Sequence, residues 1–194
     1  MLFSSASLIS CPVLSLHVGG QIATVSELII DPNNLKLIAC RVEGPLVGRE
    51  HGEILPMDSV REFSRVGMII DSADEFVEPD EIIRIHDVLE LHFALKGLKV
   101  VTKKGTRLGK VTDYVLNPET WDVQQIIVQR PIMKALMDPE LTITRSQVVS
   151  IDDYKITVKD EEEKIRAKTN KEFTPSFVNP FRKPDFAAES ETEN

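Results

Sequence analysis

The sequence predicts a mainly β protein: two small β-barrels in tandem, joined by a short helix and followed by a disordered C-terminal tail. Three observations lead there. Two stretches of the chain align without a gap when it is shifted by 86 residues. Within each stretch, short apolar runs of strand character are cut by glycine and by Asp-Pro or Asn-Pro. After residue 159 the composition changes to acidic and basic clusters, prolines and isolated phenylalanines. The expected layout is a first module at 1–72, a helical connector at 73–96, a second module at 97–159, and a short helix and acidic, aromatic tail at 160–194.

At the N-terminus, Leu8-Ile9-Ser10-Cys11 resembles a lipoprotein cleavage box, but a secretory signal needs a positive n-region and the first basic residue is Lys36. The expectation is therefore an uncleaved start and a cytoplasmic location. Val13-Leu14-Ser15-Leu16 and Val100-Val101-Thr102 read as opening strands, and Gly19 and Gly105 supply the turns after them. Gly19 to Pro32 lies over Gly105 to Pro118, with Val25 over Val111 and Glu27 over Asp113. Proline cannot donate to a ladder, so each of these second strands stops at Asp31-Pro32 or Asn117-Pro118. Leu37 to Val42 and Val123 to Val128 then complete a meander in each copy. Ile54 to Val60 matches Thr142 to Val148, and Met68-Ile69-Ile70 matches Ile156-Thr157-Val158, now shifted by 88. Strands so short and so many close most easily into a barrel, which leaves few edges.

Between the copies, Pro79-Asp80-Glu81 opens a run with Ile82, Ile85, Leu89 and Phe93 on one face. That predicts a helix from Pro79 to Leu95, ending near Gly97, with its apolar face on a barrel. In the tail, Phe173, Phe177, Phe181 and Phe186 either fold back on a groove or form a short binding motif.

A family resemblance sits in the second copy. Gly105-x-x-Leu108-Gly109-Lys110-Val111-x-Asp113, followed by Asn117-Pro118-Glu119-Thr120, resembles the PRC-barrel family, as does Ser146 to Ile151. That family is named for the cytoplasmic domain of the photosynthetic reaction-centre H subunit and includes the C-terminal domain of the ribosome maturation factors. The first copy departs from the pattern, with Ala23 for the second glycine and Glu27 for the aspartate. The resemblance implies a fold and a docking role, and no reaction.

Composition bounds the function. Of 194 residues, 42% are hydrophobic and 28% charged, which excludes a wholly disordered chain. No apolar run approaches the ~20 residues of a membrane helix. Two cysteines exclude a disulfide-built fold, and Cys11 and Cys40 are expected as buried free thiols. The net charge of −8 is unevenly spread: residues 1–92 hold 6 basic and 15 acidic side chains, whereas 93–158 hold 10 and 7. Lys96, Lys99, Lys103, Lys104, Arg107 and Lys110 fall in one stretch without an acid. These six are the candidate partner-binding residues, together with Trp121, which is either core or an exposed anchor.

No catalytic, cofactor or metal site is expected. There is no nucleophile elbow, P-loop or dinucleotide fingerprint, and the four histidines lack ligand spacing. Asp113 and Glu27 each stand alone in their copy and are read as acids hydrogen-bonded to backbone. The function expected is a non-catalytic protein-binding adaptor, whose linked modules gain avidity. The alternatives are a ribosome- or RNA-maturation accessory using the basic stretch, and a peripheral subunit of a membrane complex. Self-association, acidic first module to basic second, is a further expectation.

Overall fold

The computed structural model describes residues 2–48, 51–131, 139–152 and 154–160. The expected short helix and tail fall on 161–194 and lie outside them. The residues up to Asp160 form one compact unit. The strands are β1 (Phe3–Ser4), β2 (Pro12–Ser15), β3 (Gly20–Asp31), β4 (Lys36–Glu43), β5 (Ile54–Pro56), β6 (Glu62–Ser64) and β7 (Gly67–Ile70), then β8 (Lys99–Thr102), β9 (Arg107–Leu116), β10 (Val123–Gln129), β11 (Glu140–Thr144), β12 (Val148–Ile151) and β13 (Lys155–Val158). Among the described residues two α-helices, α1 (Ser5–Leu8) and α2 (Ile83–Glu90), join them.

The strands make two curled sheets of one topology. The first has the order β5-β4-β3-β2-β7-β6 and the second β11-β10-β9-β8-β13-β12. In each, a three-turn meander is closed by the last long strand returning parallel to the first: β7 beside β2, and β13 beside β8. The irregularities repeat as well. In the first sheet the register shifts between Val25 and Glu27 and again between Ile29 and Ile30. In the second it shifts at the positions 86 residues on, Val111 to Asp113 and Val115 to Leu116. Bulges bend a strand and increase its twist, so they help set the curl of both sheets.

The hairpin tips are alike down to their side-chain caps. Asp31 Oδ1 accepts Asn33 N at 2.9 Å, and Asn117 Oδ1 accepts Glu119 N at 3.1 Å. Each tip then places a bulky residue at positive φ, Leu35 at 53° and Trp121 at 60°. Such residues rarely adopt that conformation. Here reciprocal bonds hold it: Leu37 N donates to Trp121 O at 2.9 Å and Val123 N to Leu35 O at 2.8 Å. The two halves thus meet tip to tip as a local pseudo-dyad. One continuous core of buried side chains runs from Leu8 through Leu37 and Trp121 to Val158.

Three features depart from the expected layout or add to it. The connecting helix runs only over Ile83–Glu90, because Pro79 to Glu81 form turns and His92, at φ 48°, ends the element. Its buried Ile85 and Val88 pack on Ile29, Ala39 and Ile54 of the first sheet. The apolar runs Ile54 to Val60 and Thr142 to Val148 each break into a 3-10 turn, at Met57–Ser59 and Arg145–Gln147. Finally, the first residues do not belong to the first module alone. Strand β1 pairs with β9 of the second sheet, Phe3 opposite Leu116 and Ser4 opposite Val115.

Candidate partner-binding surface

The second sheet carries a basic outer face. Alternation along β8 buries Val100 and Thr102 and exposes Lys99, while β9 exposes Arg107 and Lys110. The register sets Lys99 directly opposite Lys110 on one side and Lys155 of β13 on the other. Three lysines therefore form a row across three adjacent strands, spaced by about 4.7–4.9 Å per strand. Like charges placed directly opposite destabilise a sheet, so this row does not add to the stability of the fold. Further along, Arg107 stands opposite Val101. Exposed Lys103 and Lys159 follow the ends of β8 and β13, where Lys103 N donates to Val158 O at 3.1 Å. Strands β8 and β13 contain no acid. Lys155 lies 3.8 Å from Asp152 in the preceding turn.

The face contains some of the expected residues and not others. Lys99, Lys103, Arg107 and Lys110 are on it, and Lys104 sits in the exposed turn with Gly105 that joins β8 to β9. Lys96 is apart: its Nζ is 3.4 Å from Asp113 and 5.9 Å from the centre of the Tyr114 ring. For Trp121 the structure bears out the core reading and overturns the exposed-anchor one. Trp121 is 9% exposed, at the meeting of the two hairpin tips, with its ring 5.5 Å from Phe63. It holds the halves together and is no exposed anchor. Sequence reasoning missed Lys155 and Lys159, which lie some 50 residues from the basic stretch and join it only through the parallel pairing of β13 with β8.

The first sheet has no such row. At the positions of Lys155, Lys99 and Lys110 it carries Gly67, Pro12 and Thr24. The same strand pairing without charge shows that the fold does not demand the lysines. The acidic side chains of the first half are partly engaged locally, as in Arg41 with Glu27 and Glu53 and Arg84 with Asp31 at 3.0 Å.

The matched acids differ in use. Glu27 is exposed at 62%. Asp113 accepts the hydroxyls of Ser4 and Ser5 and so fastens the N-terminal segment to β9. Burial pushes its carboxyl up, but those hydroxyls, the Tyr114 backbone N–H and the Lys96 charge outweigh it, leaving Asp113 below the ordinary carboxylate range. Its partners are side chains of a distant segment, not the local backbone alone. Cys11 and Cys40 are free and buried, and desolvation pushes both thiols up, away from the reactive thiolate. Among the described residues no cluster of three or more histidine, cysteine or acidic side chains could hold a metal ion. No described helix is long and apolar enough to cross a membrane.

Residues 92–165 match the family model of the PRC-barrel domain. The match begins just after α2 and takes in β8 to β13, including the lysine row, but not β1. No curated protein matches the chain.

Proposed function

We propose that the chain is a non-catalytic adaptor made of two PRC-type barrels joined by α2. In this reading the outer face of β13, β8 and β9 holds an acidic protein partner. The observation that carries it is the row Lys155–Lys99–Lys110, three like charges set side by side in a chain whose net charge is −8. An acidic partner would relieve their mutual repulsion and gain from it. The shared strand order, bulges and capped turns support a second barrel copy in the first half, even though its sequence has drifted.

Protein is favoured over RNA by what accompanies the charges. Single-stranded nucleic acid is held by aromatic platforms as well as cations. Here Tyr154, 80% exposed beside Lys155, is the one exposed aromatic among the described residues of β8, β9 and β13 and the turn before β13. The test is retention from native lysate by the full chain and by a Lys99→Glu, Lys110→Glu, Lys155→Glu variant, with and without RNase. One protein held by the wild type, resistant to RNase and lost in the variant, is the expected result. Retention of ribosomal material that vanishes with RNase would replace this reading with the RNA one. Equal retention by both chains would remove the basic face from either.

A further inference from the structure

The pseudo-dyad is filled on one side and open on the other. On the filled side three aromatic rings pack edge to face and tilted: Phe3 lies 4.6 Å from Phe63, and Phe63 lies 5.5 Å from Trp121. Phe3 arrives there on an extended segment, β1. The repeat identifies the counterparts. Trp121 corresponds to Leu35, 86 residues earlier, and Phe63 to Ile151, 88 residues later. The lead-in to each half also corresponds. Ser10 at φ 65° donates to Val25 O at 2.8 Å, and Gly97 at φ 89° donates to Val111 O at 2.8 Å. Counting back from that pair, Leu91 holds the place of Ser4, next to that of Phe3.

Leu35 and Ile151, smaller than the rings they replace, line a cleft of about 540 Å³ between the first hairpin tip and β12, together with Leu91. Two of its walls are apolar side chains in water, Leu91 at 51% and Val149 at 46% exposure. Strand β12 ends its sheet, so an extended segment can lie alongside it. Arg145 also lines the cleft, donating to Leu35 O at 3.4 Å, and among the described residues it has no ion pair. Asp152 lies at the cleft as well, already bonded to the backbone of Tyr154 and Lys155.

We propose that this cleft is a peptide-docking site that takes an aromatic side chain from an extended segment of a partner protein, with an acidic residue beside it for Arg145. The template is internal: the dyad-related place receives Phe3 from an extended segment in the same fold. Where Phe63 and Trp121 pack with the Phe3 ring on one side, Ile151 and Leu35 leave room for a ring on the other. The site is distinct from the basic face and stands whether or not that face binds protein.

The experiment uses the full chain with labelled methyl groups and a blocked pentapeptide that has a central phenylalanine flanked by serine and glutamate. Titration should shift the methyls of Leu35, Leu91, Val149 and Ile151, and an alanine-for-phenylalanine peptide should bind at least ten-fold more weakly. Ile151→Phe, which restores the ring found at Phe63, should fill the cleft and weaken binding at least ten-fold. Its melting temperature should not fall, which separates filling from misfolding. The proposal is overturned if no cleft methyl shifts at millimolar peptide, or if Ile151→Phe binds as the wild type does. It is also overturned if, without peptide, the cleft methyls already contact phenylalanines of the chain beyond Asp160.

Discussion

Single residues carry the close contacts that define each half. Gly109 lies where β9 passes under β10: a Cβ there would stand 2.0 Å from the Gln129 carbonyl oxygen. The first half has Ala23 at that position, and its glycine has moved across the ladder to Gly44, whose Cβ would lie 2.4 Å from Ile22 O. The close approach is kept while the residue that permits it changes strand. Gly109→Ala should therefore destabilise the chain by about 1–3 kcal/mol in urea unfolding. Ala23→Gly should cost only roughly 0.5–1 kcal/mol. Asp113 works by charge. Its folded pKa is lowered, so its contribution is fully present above the unfolded value of about 3.9 and is lost as pH falls through the folded one. Asp113→Asn should lower stability at pH 7 and flatten the loss of stability below pH 4, as read by melting temperature against pH. Asp31, lowered by its bonds to Arg84 and Asn33 in spite of burial, leaves part of that acid loss in place.

At the scale of elements, the hairpin tips join the halves through reciprocal backbone bonds. Their loops are set by local chemistry, an Asp or Asn that caps the turn and a proline that stops the strand, and these are legible in the sequence. The positive φ at the end of each tip is not legible there. A leucine and a tryptophan in that conformation look unfavourable until the opposite tip supplies their hydrogen bonds. Trp121→Ala should remove both the ring contact with Phe63 and a core side chain. The expected cost is about 3–5 kcal/mol by denaturant titration. Helix α2 shows the converse. Its apolar spacing is evident in the sequence, but the acid-rich stretch that reads as its opening is spent on turns, and Ile82 precedes the helix without a side-chain cap.

At the scale of the molecule, two sheets share one core, and β1 crosses from the front of the first half into the second. Such a chain should unfold as a unit. Fluorescence of its single tryptophan, at the junction, should follow the same denaturant transition as far-UV circular dichroism. Two separated transitions would show that the halves melt independently. The sequence by itself determined the strand pattern, the repeat, the turn positions and the free, buried cysteines, because all of these rest on local alternation and on residues with fixed backbone preferences. It also located the basic stretch from Lys96 to Lys110. Only the tertiary structure decided that Lys155 completes the row, that Lys96 is turned to Asp113, that Trp121 is buried and that Leu35, Leu91 and Ile151 face one cleft. Each of these depends on pairing between residues far apart in the chain, and local pattern carries no information about which distant strand will lie alongside.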